Sequence, residues 1–253
     1  MFWKVETLLQ GYPGKSTYHG GLGWSTVALA RNPEGRTVIL DTGGLSARRL
    51  LPSSLKAHGV TPADVTDLLM THLHYDHCVN WPMFPNARMH VGAAEMDWAL
   101  SRQDGDRLYP EFTIRELAKH PHLHLLKDGE TGLPGISCFT APGHTMDHLA
   151  FVLAGDPPTI FSGDVAKNRA ELATGKADMT LDPVAHATSI ARLKECWRSV
   201  PGTVLFPGHD LPLTLDTEGR MVALGERTCG IDAWFGLSLD EVTHFDLTER
   251  GIA

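Results

Sequence analysis

The sequence predicts a mixed α/β fold of the α+β kind, with sheets packed inside outer helices. Apolar strand-like runs alternate with helical stretches in two halves of the chain, a pattern that fits layered sheets under helices better than one all-parallel sheet. No repeat, low-complexity tract or linker-like run interrupts the 253 residues, so residues 1–253 read as a single domain, and 42% hydrophobic residues can supply its core. Four apolar runs end on a histidine or aspartate, as expected where loops leaving strand ends gather polar side chains on one cleft.

Residues 3–10 (WKVETLLQ), 25–32 (STVALARN) and 36–44 (RTVILDTGG) are expected strands, separated by Gly, Pro and Asn. Residues 46–59 carry leucines at helical spacing despite a proline, and 64–74 (DVTDLLMTHLH) read as a buried strand entering a histidine cluster. A short strand at 87–92 and a helix at 93–100 follow, whereas 101–128 are polar and mixed and give no clear element. The apolar runs at 135–144, 148–155 and 159–165 are strands. Residues 182–200 form the best amphipathic helix, and 203–210 (TVLFPGHD) close the series as a strand.

A net charge of −8 removes the overall attraction that drives non-specific nucleic-acid binding. Cys78, Cys138, Cys196 and Cys229 are scattered without a CxxC pair, which suggests free thiols in a reducing compartment. Lys4 and Glu6 interrupt the apolar N-terminus, and no stretch approaches the ~20 apolar residues of a membrane span. The expected setting is the cytoplasm, with a small-molecule substrate, no nucleic acid, no membrane, and a homodimer possible.

His72, His74, Asp76 and His77 fall within six positions, and His144, Asp164 and His209 stand at the ends of the later strand runs. In extended backbone alternate side chains share a face, so His72 and His74 point together. A turn after Tyr75 would send Asp76 and His77 to the other side of the cleft, letting one peptide serve two ions. Gly143 and Gly208 precede His144 and His209 in two Pro-Gly-His turns, where glycine permits a positive φ or a close backbone approach. The histidine and carboxylate set suits zinc, with iron or manganese as alternatives.

With these residues in place, the sequence resembles the metallo-β-lactamase superfamily: its HxHxDH motif matches His72, His74, Asp76 and His77, and its later ligand stations match His144, Asp164 and His209. The resemblance implies a four-layer αββα sandwich with two divalent metal ions at one edge of the sheets. It assigns His72, His74 and His144 to one ion, Asp76, His77 and His209 to the other, and Asp164 to both. It further implies a dinuclear hydrolase acting through a bridging hydroxide, with Asp76 as the catalytic proton carrier.

Within the superfamily, chain length and the stretch from Asp164 to His209 resemble acyl-homoserine lactonases, so opening of a lactone or related ester is the leading expectation. Those enzymes commonly carry a tyrosine three residues after the bridging aspartate, where this chain has Lys167, either a substitute cation or a solvated lysine. The stretches LLQGY, DTGG, MFPNA and PGHD also resemble the metallo-β-lactamase domain-containing proteins. Hydrolysis of a β-lactam, thioester or phosphodiester is the alternative, and a metal-binding module without turnover is the non-enzymatic one. Tyr18, His19 and Trp24, in the Gly-rich connection 11–24, are candidate substrate contacts together with Lys167. Lys15 in GYPGKST is not a phosphate loop, because Leu9 occupies the place of the first glycine. His148 is a candidate support for the ligands, while His120, His122 and His124 read as an exposed polar face.

Overall fold

The computed structural model describes residues 2–18 and 20–248. In chain order the elements are β1 (Lys4–Leu9), the ribbon β2 (Lys15–Ser16) and β3 (Gly20–Gly21), β4 (Val27–Arg31), β5 (Thr37–Leu40), α1 (Ala47–Ala57), β6 (Asp67–Leu69), α2 (Tyr75–Cys78), β7 (Arg88–Gly92), α3 (Ala93–Leu100), α4 (Glu111–Leu117) and β8 (Leu123–Leu126). The second half contains β9 (Gly129–Glu130), β10 (Ile136–Thr140), β11 (Leu149–Leu153), β12 (Thr159–Gly163), α5 (Arg169–Thr174), α6 (Pro183–Ser199), β13 (Val204–Pro207), β14 (Leu213–Leu215), β15 (Met221–Ala223), β16 (Gly230–Ala233) and β17 (Thr243–Asp246).

Two main sheets result, ordered β1-β4-β5-β6-β7-β8 and β15-β14-β13-β12-β11-β10-β9. In the first, β5 through β8 run parallel. In the second only β12 and β13 are parallel neighbours. Strand alternation divides the side chains among three cores. Val27, Leu29 and Ile39 pack with Leu51 and Leu55 of α1, Met96 of α3 and Ile114 of α4. Ala28, Ala30, Val38 and Leu40, on the opposite face, meet Leu149, Phe151, Phe161 and Phe206 of the second sheet. On the outer face of that sheet, Ala150, Ile160 and Leu205 pack with Leu172 of α5 and Leu193 and Trp197 of α6. The period-two pattern of both sheets thus builds helix, sheet, sheet and helix in four layers. Phe151 and Phe161 are fully buried between the sheets, and each contributes about 2–3 kcal/mol relative to an exposed ring.

Two helix details follow from local chemistry. Pro52 lacks the amide for an internal bond, yet α1 continues because Leu51 and Leu55 hold one face on the sheet. Asp182 caps α6 by accepting from the amides of Val184 and Ala185, with Pro183 in the first turn.

Several elements differ from expectation. The strand expected over 64–74 pairs only at Asp67–Leu69; Pro62–Asp64 form a 3-10 turn, and the peptide leaves the sheet before the histidines. The expected turn after Tyr75 is the short helix α2. The stretch 101–128, without a clear element in sequence, contains α4 and β8, and α5, β14, β15 and the β16–β17 hairpin likewise had no counterpart among the expected elements. Among the described residues, no helix is long and apolar enough to cross a membrane.

Candidate metal centre

The C-terminal ends of β5, β6, β10, β12 and β13 supply Asp41, the 72–77 peptide, His144, Asp164 and His209 respectively. The two sheets are tied together there, since the Leu149 amide donates to the Thr71 carbonyl at 2.8 Å. His74 is extended (φ −67°, ψ 151°) and α2 starts directly after it, which carries Asp76 and His77 on the first helical turn, with the His77 ring centroid 4.1 Å from that of His72. Glycine is required at both Pro-Gly-His turns. Gly143 has φ 131°, and a β-carbon there would overlap the His186 backbone; at Gly208 it would overlap Asp164 Oδ1 and come within 2.9 Å of the Gly163 carbonyl.

Three groups of potential donor atoms form: His72, His74 and His144; His72, His77 and Asp164; and Asp76, His77 and His209. His74 Nδ1 and His144 Nε2 are 3.1 Å apart. Asp164 faces both sides, with Oδ2 3.2 Å from His144 Nε2 and Oδ1 3.4 Å from His77 Nε2 and 3.3 Å from His209 Nε2. Asp76 Oδ2 lies 3.6 Å from His77 Nε2 and 3.5 Å from His209 Nε2.

A buried scaffold aims these rings. Asp41 Oδ2 accepts from His77 Nδ1 at 2.7 Å and from the Thr71 hydroxyl at 2.9 Å, while Oδ1 accepts from the Thr71 amide at 2.8 Å. Because the Thr71 hydroxyl donates to Asp41, it accepts from His72 Nδ1 at 3.0 Å. His144 Nδ1 donates to the Met179 carbonyl at 2.9 Å. These bonds fix the protonated nitrogens of His72, His77 and His144 on the outside, leaving each Nε2 lone pair pointing inward. Asp41 adopts φ 55°, a left-handed conformation uncommon outside glycine and characteristic of residues held by function.

The donor set fits metal. His72 Nε2, His77 Nε2 and Asp164 Oδ1 are buried without a hydrogen-bond partner, a costly arrangement for polar atoms that a cation would relieve. Burial holds His72 and His144 well below the usual imidazole range and His74 at about 4, so these three rings stay neutral. Burial also opposes charge on His77, but Asp76, Asp164 and Asp41 outweigh it and push the ring up to about 10, so the inward Nε2 carries a proton that a bound cation would displace. His209 is raised against its burial by Asp164 and Asp76. Asp164, despite burial, is held well below the carboxylate range by His209, His77 and His144.

The expected substrate contacts fare differently. His19 lies outside the described residues. Tyr18 is 90% exposed, and Trp24 stacks on Tyr12 with ring centroids 4.9 Å apart while donating to the Gln10 carbonyl. Lys167 is not a solvated lysine: its ammonium is 3.0 Å from Glu171 Oε1, and its carbonyl accepts from the His209 amide at 2.7 Å. None of these three lines the cleft next to His74 and His144. That cleft is walled by the α3–α4 segment and Met179–Leu181. His148 does take a supporting place, its Nε2 accepting from the Asp164 amide at 3.0 Å. His122 and His124 are exposed, and His124 stacks on His90. Sequence reasoning missed Asp41, Glu95, which accepts from the Leu73 amide at 3.0 Å, and His186, which bridges Thr180 and Val165. The aspartate of DTGG at the end of an apolar run carried the only readable signal among them.

The family model of the metallo-beta-lactamase superfamily matches residues 20–209. The human metallo-beta-lactamase domain-containing protein 1 is 30% identical over 197 residues, 76% of this chain, and the match spans 64% of the human protein's length. An N-acyl homoserine lactonase of Bacillus thuringiensis is 24% identical over 62% of this chain and 60% of its own. A solved N-acyl homoserine lactone hydrolase, with its product N-hexanoyl-L-homoserine at the catalytic metal center, superposes with a TM-score of 0.65. It covers 83% of this chain and 94% of its own at 20% identity. With the family model covering most of the chain over the same fold and donor cluster, the protein belongs to the metallo-beta-lactamase superfamily.

Proposed function

We propose that this protein is a hydrolase dependent on two divalent metal ions, zinc in preference to iron or manganese, and that it opens a lactone or a related ester. His72, His74 and His144 would hold one ion, Asp76, His77 and His209 the other, and Asp164 both. The observation that carries the reading is Asp164, whose two oxygens face the two donor groups. A pair of ions there would supply a water acidified toward a pKa of ~7 and a Lewis acid for the carbonyl. The chain's own residues do the rest. Asp41, Thr71 and Met179 hold the imidazoles in the tautomer that leaves Nε2 free. Asp76, 16% exposed against 4% for Asp164, is the more accessible carboxylate and the one assigned to take a proton and return it to the leaving group. Kinship with proteins named lactonases supports the lactone over a β-lactam, thioester or phosphodiester.

The test is metal analysis and hydrolysis by wild type and Asp164→Ala. Chelation should abolish wild-type turnover and zinc or manganese restore it, while Asp164→Ala should lose both metal and activity with its fold intact. Two ions retained by the variant, or turnover resistant to chelation, would refute the assignment. Parallel assays with an acyl-homoserine lactone, a cephalosporin, a thioester and a phosphodiester separate the substrate classes.

A further inference from the structure

A cleft of about 270 Å³ opens directly beside His74 and His144. Its wall includes the apolar groups of Leu108, Met179 and Leu181, suited to an aliphatic chain, and also Trp98, Arg102, Asp106 and Arg107. Arg102 is unusual there. Its guanidinium carbon sits 3.6 Å from the centroid of the Trp98 ring, and its Nε is buried without a hydrogen-bond partner. Its only side-chain hydrogen bond among the described residues is to the Ser101 hydroxyl at 3.3 Å, and no carboxylate there pairs with it. A guanidinium held over an indole without a carboxylate partner keeps its terminal N–H groups available to a planar oxyanion.

Asp106 sharpens the choice of anion. Its Oδ1 is committed to the amides of Leu108 and Tyr109 at 2.8 and 3.2 Å, yet its charge remains in the wall. Two guanidiniums and one carboxylate leave a single net positive charge, which matches a carboxylate monoanion better than a phosphate dianion.

We propose that this cleft is the acyl subsite and that it selects chains ending in a carboxylate, seated against Arg102 with Arg107 adding long-range attraction. The proposal rests on the hydrolase reading for the position of the scissile bond, but its anion selectivity stands independently of turnover. A neutral aliphatic tail would leave the Arg102 guanidinium without a counter-charge.

Calorimetric titration of the zinc-loaded protein with adipate, hexanoate and 6-phosphonohexanoate tests it. Adipate should bind at least tenfold more tightly than hexanoate and no more weakly than the phosphonate. Arg102→Met should shrink the adipate preference to threefold or less, while Arg220→Gln, at an exposed arginine of the β14–β15 turn, should keep it. Equal binding of adipate and hexanoate by the wild type overturns the proposal, whatever the behaviour of the variant. A tighter phosphonate overturns the choice of carboxylate, and an undiminished preference in Arg102→Met overturns the assigned residue. A selective cleft in a protein that hydrolyses no ester would sink the hydrolase reading and leave the subsite standing.

Discussion

Replacing Asp41 with asparagine changes one atom in a fully buried residue, yet a large effect on metal binding is expected. Asp41 Oδ2 accepts from both His77 Nδ1 and the Thr71 hydroxyl, at 2.7 and 2.9 Å, and the latter steers His72. An amide offers one oxygen for three donors and aims an NH2 at the others, so at least one charge-assisted bond is replaced by a clash of donors. Loss of one such partner behind a metal-binding histidine typically lowers affinity 10–100-fold, about 1.4–2.7 kcal/mol. Because His72 and His77 belong to different ions in the proposed assignment, both sites should weaken. Thr71→Val, which cuts only the arm to His72, should weaken chiefly one, and the double variant should lose less than the sum because both act through the same carboxylate. Competition between the protein and a chromophoric zinc chelator measures this directly. Asp41→Asn binding two zinc ions within threefold of wild type would refute the idea that this hub positions the ligands.

Gly208→Ala should displace Asp164 or the strand beneath it, because the added β-carbon would overlap Asp164 Oδ1. Such overpacking costs about 1–3 kcal/mol, and thermal unfolding of the metal-free protein together with zinc stoichiometry should both decline; an unaltered stoichiometry would contradict the close approach of this turn to Asp164. At the far end of β6, Asp67 is fully buried and accepts from Arg88, His90 and Thr66 at 2.7–2.9 Å. Burial opposes its charge, but His90, Thr66 and Arg88 prevail and hold its carboxyl below the ordinary 3.8. Its stabilisation is therefore complete above the unfolded carboxylate pKa and disappears as pH falls through the lower folded value. Asp67→Asn should cost about 1.5–3 kcal/mol at pH 7, since it weakens the charge-assisted hydrogen bond from Arg88 and those from His90 and Thr66, and the gap from wild type should narrow below pH 4 in denaturant titrations of metal-free protein. A gap as wide at pH 3 would exclude this origin.

The layered architecture was legible because strand alternation writes it openly: Ala28 and Leu29, adjacent in sequence, belong to different cores. The donors were legible for a related reason, since His72, His144, Asp164 and His209 each follow an apolar run that has to end at a sheet edge. What escaped depends on partners far away in the chain. Asp41 looks like any turn aspartate until His77 and Thr71 are brought to it, and Arg102 looks like any surface arginine until Trp98 lies beneath it. Residues 101–128 resisted for another reason: α4 is only seven residues long, and Leu125 faces solvent within β8, so neither helical nor alternating periodicity has room to emerge.

The donors extend from His72 in the first half of the chain to His209 beyond the second sheet's central strands. During synthesis the early peptide HLHYDH leaves the ribosome long before Asp164 and His209 exist to face it. A nascent chain or a proteolytic fragment ending before the last of these turns would offer only part of the donor set, so under the proposed assignment full metal capture would await chains whose two halves have already closed on each other.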